Sequence, residues 1–590
     1  VILHAIDSFV LWLLAPLAIV FLISGVDDLA IDVAWLYAWL VDRLTISRRD
    51  ARRQPSAPPR SIAILVPLWK EHEVVGRMLE HNLAAIRYPD YHFFVGAYPN
   101  DQATQDAVQA VADRHPNVHL AICPHDGPTS KADCLNWIYQ HIGIYEEQTG
   151  EHFDIIVTHD AEDLIHPEEL RWINAYAVHH HFIQIPVLAL ATPLTALTHG
   201  VYCDEFAEYH TRDMVVRSWF GCFVPGSGVG TGYRRDALEH LARVSSNRIF
   251  EPAALTEDYE SGLRLYRLGC RQMFVPLTRL ARNSRDFVAT REYFPQTWST
   301  ALRQRTRWVT GIALQGWEHF GWSGKPGEIY WLWRDRKSLI GSPLGVVANA
   351  VFLYGLATSL WTRMTPLHSE LTAATLALQI VRLSVRMACV HHIYGPLFAL
   401  FVPFRALYAN ALNAAATFQA TARYAVAKVR GQPLRWLKTE HSYPSRAALL
   451  AHKRRLGEIL VSTGYVSVIT LRKALASRPQ SVRLGEHLVH LGELTEETLY
   501  EALSLQQGLP FARLNPEEVS LHVARSLPDR VVRQWRVLPF KVSEGSLHLA
   551  SPDLPIPALS TNLRAFTALE IRLHLITPSD YEKLTTSLLS

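Results

Sequence analysis

The chain has 590 residues, about four times the roughly 150 of a typical domain, so several domains are expected. Hydrophobic residues make up 49% and charged residues 19%, against about 25% charged in soluble domains; this excludes a disordered chain and argues against an all-soluble enzyme. The net charge of +3 gives no support for a nucleic acid polymer as partner, and six scattered cysteines without a CxxC pair exclude a disulfide scaffold or zinc ribbon and fit reduced thiols in a cytosolic compartment.

The chain starts at Val1 rather than Met, so the native N-terminus is expected upstream. Residues 8–26 carry no charge and are long enough to span a bilayer. Asp27 and Asp28 end that stretch. Residues 29–41, with Asp32, Trp35, Tyr37 and Trp39, are predicted as a separate amphipathic helix in the headgroup layer, the plain alternative being a soluble core helix. Arg43, Arg48, Arg49, Arg52, Arg53 and Arg60, interleaved with Pro55, Pro58 and Pro59, form a basic linker that the positive-inside rule places in the cytoplasm. Residues 1–60 are thus one membrane unit, and the polar region after it is expected to be cytoplasmic.

Residues 61–170 alternate β-rich and helical patterns: strands at 62–66, 93–97 and 154–158, helices at 74–86 and 104–114. Such alternation predicts a parallel sheet with helices on both faces and ligands at the carboxyl ends of the strands. Acids cluster there: Glu71 after the first strand, Asn100 and Asp101 after the second, Asp160, Glu162 and Asp163 after the third. There is no GxGxxG and no GxxxxGK[ST], so neither a dinucleotide nor ATP on a P-loop is supported. Asp160 and Glu162, two apart on a turn, suit one hard divalent cation that keeps places for diphosphate oxygens, although acid-rich turns also serve as solvated loops and helix caps. Further on lie the glycine-rich 226–232 (GSGVGTG), Thr256-Glu257-Asp258 after an apolar run, and Gln304-Arg305-Thr306-Arg307-Trp308 on a helical pattern. The glycines allow close backbone approach to a ligand.

With an initial acid, a DxD-type motif, TED and QxxRW in that order, residues 61–310 resemble the processive family 2 glycosyltransferases. The resemblance implies a GT-A (Rossmann-like) α/β fold, here in a domain 61–335. It implies that Asp160 and Glu162 hold Mg²⁺ or Mn²⁺ on a nucleoside diphosphate, Glu162 standing where the family usually has Asp, with Asp163 able to share the role. It further implies that Glu71, Asp101 and Lys131 hold the uridine and diphosphate, that Asp258 of Thr256-Glu257-Asp258 is the general base, that Arg305 and Arg307 of the Gln304–Trp308 motif neutralise the diphosphate, and that Trp308 stacks on the acceptor sugar. The chemistry is coherent without the likeness: sugar transfer needs leaving-group charge neutralised and one carboxylate near the nucleophile, and direct displacement inverts the anomeric centre.

A second hydrophobic zone, 336–444, follows. Residues 339–361 are predicted to span, and 371–390 likewise despite Arg382 and Arg386, which share a face and either snorkel or line a polar path. Residues 397–429, interrupted by Pro403, Arg405 and Asn410, are predicted as interfacial or re-entrant helices.

The tail, 445–590, opens with a repeat. RLGEILVSTG from Arg455 recurs as RLGEHLVHLG from Arg483, pairing Arg455, Leu456, Gly457, Leu460, Gly464, Leu471 and Leu475 with Arg483, Leu484, Gly485, Leu488, Gly492, Leu499 and Leu503. A small helical bundle with duplicated packing positions accounts for the leucines, but arginine is seldom buried unless paired. The tail resembles the MshEN family, which implies a helical half and a second α+β half binding cyclic di-GMP through the two RLG turns, the repeated leucines and Gln506. The first copy departs by carrying Arg478 where the family has Gln, and the linker is one residue shorter. No Walker A follows, which excludes a secretion ATPase.

The whole order of parts is similar to the bacteriophage N4 adsorption protein B family. That resemblance implies a bacterial inner-membrane synthase with both soluble domains cytoplasmic, activated by cyclic di-GMP, that polymerises an N-acetylhexosamine (N-acetylmannosamine before N-acetylglucosamine) from a UDP-sugar and needs an outer-membrane export partner of the N4 adsorption protein A type. The alternative is a catalytically silent scaffold for export or phage adsorption.

Overall fold

The computed structural model describes residues 2–45, 57–278, 287–322, 324–431, 456–462, 465–479, 482–507, 509–543, 546–554, 563, 566–567 and 569–589. They form two compact bodies, one within residues 1–443 and one within 444–590.

The first body opens with α1 (Ile2–Thr45), 44 residues of continuous helix. At 1.5 Å per residue it runs about 66 Å, roughly twice a hydrocarbon core of about 30 Å. The interface helix expected at 29–41 is therefore not a separate element. The acids expected to end the span are ion-paired instead. Arg334 and Lys337 hold Asp27 and Asp28, with Lys337 Nζ 2.7 Å from Asp27 Oδ2, and Arg212 Nη1 lies 2.7 Å from Asp32 Oδ1. Buried charges are tolerated when paired in this way, so the helix continues.

Next come β1 (Ile62–Pro67), α2 (Val75–Ala85), β2 (Tyr91–Ala97), α3 (Gln102–Ala112), β3 (Val118–Ile122), α4 (Lys131–Thr149), β4 (Ile155–Thr158) and α5 (Glu169–Tyr176). After them lie β5 (Phe182–Gln184), β6 (Val187–Ala189), α6 (Leu197–Glu208), α7 (Met214–Trp219), β7 (Thr231–Arg234), α8 (Arg235–Val244), α9 (Glu257–Arg267), β8 (Gln272–Phe274), β9 (Thr290–Glu292) and α10 (Trp298–Trp308). The main sheet has the order β3-β2-β1-β4-β7-β5-β8, and β6 pairs with β9 in a second, two-stranded sheet. Strands β1 to β4 are parallel, in line with the βαβ alternation. β7 breaks that pattern by running antiparallel to both β4 and β5, so the sheet is mixed. The chain enters β7 from α7 through the glycine loop at 226–230. The central strands are apolar and buried, Ile62 to Val66 and Phe93 to Val95 being inaccessible to solvent. Burying each large side chain contributes about 1.5–3 kcal/mol.

The chain then forms α11 (Gly316–Phe320), α12 (Pro326–Arg336), α13 (Ser338–Thr358), α14 (Pro366–Tyr394), α15 (Pro396–Leu400) and α16 (Val402–Arg430). Among the described residues three helices are long and apolar enough to cross a membrane, by length and composition: α1, α13 and α14. α16 is bound to the catalytic side through polar contacts, Arg405 to Asp204 at 2.7 Å and Thr306 Oγ1 to Gln419 Oε1 at 2.8 Å.

The second body begins with α17 (Leu456–Ser462), α18 (Val468–Ser477), α19 (Leu484–His490) and α20 (Glu496–Gln507) around Leu460, Leu488, Leu499 and Ala502. It continues with α21 (Leu521–Ala524), α22 (Asp529–Trp535), β10 (Leu538–Ser543), β11 (Ser546–Ser551), β12 (Glu570–Leu575) and α23 (Pro578–Leu589). β11 pairs antiparallel with β10 and parallel with β12, over a core that includes Val532, Leu549 and Leu584.

Candidate functional site

The strand ends of the first body bring four distant segments together. Lys131 opens α4, whose cap Ser130 accepts the N–H of Asp133 at 3.2 Å. Its Nζ lies 2.6 Å from Asp160 Oδ1, in the turn after β4, and 4.0 Å from Glu257 Oε1 at the start of α9. The glycine loop closes the fourth side: a Cβ on Gly228 would sit 3.0 Å from Asp258 Oδ2 and 3.2 Å from Lys131 Nζ. Gly228 also has φ +77°, so space and backbone both demand glycine. The glycines expected to approach a ligand thus approach the site's own acid and base. Buried Gln184, at the end of β5, holds that loop. Its carbonyl oxygen accepts Ser227 N–H at 2.9 Å and Thr231 Oγ1 at 2.8 Å, and its amide donates to the Val229 carbonyl at 2.9 Å. Thr256 is buried at the N-cap position of α9 and packs on Gly311, where a Cβ would lie 2.4 Å from Thr256 Oγ1. Tyr259 fixes the helix by donating to Asp335 at 2.8 Å.

This packing sets the electrostatics. Burial, and then the neighbouring Asp258 charge, push Glu257 up to about 7. Burial also raises Asp258, with Lys131 and Arg307 acting against the rise. Lys131 keeps its proton because Asp160, Glu257 and Asp258 outweigh its burial.

Glu71 and Asp101 stand at the adjoining ends of β1 and β2, both buried. Asp101 Oδ2 accepts Lys70 N–H at 2.6 Å, and Thr104 Oγ1 accepts Glu71 N–H at 3.1 Å. The rings of Trp69 and Tyr98 meet edge to face beside them, 5.5 Å apart.

Asp160, Glu162 and Asp163 share the turn after β4. Asp163 Oδ2 accepts the Asp160 N–H at 2.9 Å and faces His159 Nδ1 at 2.8 Å, so Asp163 braces the turn. His159 Nε2 lies 3.0 Å from Glu169 Oε1. Burial opposes a charge on His159, but Glu169 and Asp163 outweigh it and raise its pKa to about 9. Glu292 of β9, which sequence reasoning missed, shares the negative field; burial, then Asp163, Glu162 and Asp160, push it well above the ordinary carboxylate range. Among the described residues no group of three or more His, Cys, Asp or Glu forms a metal cage. The donor set nevertheless fits a hard cation that takes its other ligands from a diphosphate, for which one or two carboxylates suffice.

On the far side of Asp258 is a cavity of about 420 Å³, lined by Thr256, Asp258, Glu292, Trp308 and charged residues of α1, α12 and α14. Two π-helical stretches, Tyr209–Asp213 and Val309–Gln315, contribute to its wall. Trp308 packs on Tyr202, Phe206 and Phe294 at ring distances of 6.0, 6.2 and 6.4 Å and also borders the cavity. Arg382 and Arg386 both line this cavity, Arg386 pairing with Glu208 at 2.5 Å and Arg382 with Asp28 at 3.4 Å.

Arg305 does not fit its expected role. Its guanidinium donates to Glu205 at 2.8 Å and to Asn413 at 2.5 Å, and lies 4.4 Å from the Tyr202 ring centre. Residues two apart on a helix do not share a face, and Arg305 and Arg307 meet different partners. Arg307 is the one whose charge acts on Glu257 and Asp258. Gln304 is buried in α10 beside them.

In the second body the repeat has a packing cause. A Cβ on Gly457 would lie 3.1 Å from Leu471 Cδ2, and one on Gly485 would lie 2.3 Å from Leu499 Cδ1. Each RLG glycine thus admits the leucine that follows it by 14 positions, and the two copies do this alike. Gly492 ends α19 with φ +71°. Leu460, Leu488 and Leu499 are buried in the helical core that holds the four short helices together. Leu456, Leu471, Leu484, Leu503 and Gln506 are half-buried, and Leu475 and Arg483 are exposed. Arg455 and Gly464 lie outside the described residues.

A family model described as glycosyltransferase like family 2 matches residues 58–311, and the MshEN domain model matches 507–589, the α+β part of the tail. The bacteriophage adsorption protein B of Escherichia coli K12 and the bacteriophage N4 adsorption protein B of Escherichia coli O157:H7 are each 34% identical to this chain over 587 residues, 93% of it and 78% of their own length. Among solved structures, the mannosyltransferase PcManGT from Pyrobaculum calidifontis, in complex with GDP-Man and Mn²⁺, aligns at 17% identity with a TM-score of 0.45 over 69% of this chain and 99% of its own. With a relative this similar along nearly its whole length, a glycosyltransferase domain in the first body and an MshEN domain in the second, the chain belongs to the bacteriophage N4 adsorption protein B family.

Proposed function

We propose that the chain is a cyclic di-GMP-activated, processive, inverting glycosyltransferase of the bacterial inner membrane that polymerises an N-acetylhexosamine from a UDP-sugar. The observation that carries this is the meeting of Asp258, Lys131 and Asp160 beside the cavity bordered by Trp308. Asp258 takes the proton of the acceptor hydroxyl as that oxygen attacks the anomeric carbon. The bond from that carbon to the diphosphate oxygen breaks, and the configuration inverts. Lys131 and Arg307 offset the charge on the departing UDP, and Glu71 and Asp101 hold the nucleotide at the adjoining strand ends. Asp160 and Glu162 would hold Mg²⁺ or Mn²⁺, which supplies Lewis-acid neutralisation of the diphosphate. Trp308 offers the acceptor sugar an apolar ring. Arg305 keeps α10 on α6 through Glu205.

α1, α13 and α14 place the chain in the membrane in this reading, with both soluble domains on the cytoplasmic side, which the basic run at 43–60 favours. The polymer leaves beside the catalytic domain and is handed to an outer-membrane partner of the N4 adsorption protein A type. N-acetylmannosamine is the favoured sugar by family likeness. Cyclic di-GMP would bind the RLG turns, where exposed Arg483 suits phosphate or guanine contacts. A silent scaffold draws its support from Glu162 in place of Asp and from the relatives' names. Full-length protein in lipid nanodiscs should release UDP from UDP-N-acetylhexosamines with Mn²⁺ and do so faster with cyclic di-GMP. No release from either epimer would favour the scaffold, and release indifferent to cyclic di-GMP would remove the regulator.

A further inference from the structure

Behind the acidic turn the polar side chains are connected one to the next. Asp163, His159 and Glu169 have fully buried side chains. Asp163 Oδ2 meets His159 Nδ1 at 2.8 Å while accepting the Asp160 N–H at 2.9 Å. The other ring nitrogen meets Glu169 Oε1 at 3.0 Å, and Glu169 Oε2 accepts Thr290 Oγ1 at 3.0 Å. Thr290 lies in β9, two residues before Glu292, and a Cβ on Gly230 would lie 2.4 Å from its hydroxyl. One connected set of contacts therefore ties the acidic turn to β9 and to the loop that faces Asp258.

A buried charged relay adds little stability over an apolar replacement, so its presence calls for another role. Groups directly behind a cation's ligands commonly orient them, and their loss costs about 10–100-fold in metal affinity. We infer that the Asp163–His159–Glu169 relay is a positioning device: it aims Asp160 and Glu162 at a nucleotide-bound divalent cation and fixes their place relative to Thr290, Glu292 and the glycine loop. This rests on the reading that Asp160 and Glu162 bind that cation.

The test uses full-length protein in nanodiscs with saturating UDP, titrated with Mn²⁺ and followed by the paramagnetic resonance of free Mn²⁺, with thermal unfolding in parallel. His159→Gln should weaken Mn²⁺ binding by about 10–100-fold. Thr290→Val, which cuts only the outer link, should weaken it less but measurably. Folded variants that bind Mn²⁺ as the wild type does would overturn the relay while leaving the cation reading in place. If His159→Gln does not fold, Thr290→Val decides: unchanged affinity overturns the proposal. A wild type that takes up no Mn²⁺ would overturn both readings together.

Discussion

The catalytic body and the tail solve opposite problems. In the first, Lys131, Asp160 and the Glu257-Asp258 pair come from three separate segments and are held in contact by buried charge. In the second, the matching positions sit 28 residues apart and are held by glycine–leucine packing, while the arginine of the second copy faces solvent. Charge is costly to bury and must be paired, so the catalytic arrangement depends on many distant partners. Apolar packing is local, so the tail can duplicate a motif and leave its polar groups exposed for a ligand.

The largest expected effect breaks the catalytic side. Asp258→Asn should lower UDP release by about 10²–10⁴-fold with thermal unfolding unchanged, as loss of a general base does. Retained turnover would remove the base assignment. Next, Arg305→Ala should destabilise the first body by about 2–4 kcal/mol in denaturant melts, less than a fully buried pair because Glu205 is 26% exposed. Arg307→Ala should instead lower turnover and leave the melt nearly unchanged. The reverse pattern would exchange their roles.

The tail gives a parallel contrast. Gly485→Ala should destabilise that body by about 1–3 kcal/mol through overpacking on Leu499, and more than Gly457→Ala, whose neighbour stands farther off. Arg483→Ala should leave stability intact and weaken cyclic di-GMP roughly 10–100-fold in calorimetric titration, the range for a lost charged hydrogen bond. Equal affinity would make the repeat purely a packing device. The smallest effect concerns pH. Burial, and then the Asp258 charge, raise Glu257 to about 7; burial also lifts Asp258, and the base works only when deprotonated. Turnover should therefore fall on acidification at a pH above the ordinary carboxylate range; an acid limb near 4 would show that substrate or cation resets the pair.

Much of this was legible in residue order. The βαβ alternation marked the parallel strands, and the acids after them marked the site. The ordered TED and QRTRW motifs and the RLG repeat pointed to two functions. Arg305 was misplaced because a one-dimensional motif does not show that alternate helix positions face different partners. His159, Glu169 and Glu292 were missed because a lone histidine and two isolated glutamates carry no spacing signal. Asp27, Asp28 and Asp32 misled for a related reason: acids look like the end of a membrane helix until their cationic partners on α12, on α14 and in the segment after α6 are in view.

By itself, the sequence determined what is local: apolar segments long enough to span, strand and helix periodicity, glycine and arginine at repeated offsets, and motifs in family order. The tertiary structure decided what depends on contacts distant in the chain: the antiparallel return of β7, the division of work between Arg305 and Arg307, the burial of Leu460, Leu488 and Leu499, and the brace behind the acidic turn. Periodicity is set by neighbouring residues, whereas the partner of a buried charge is set only when remote elements pack.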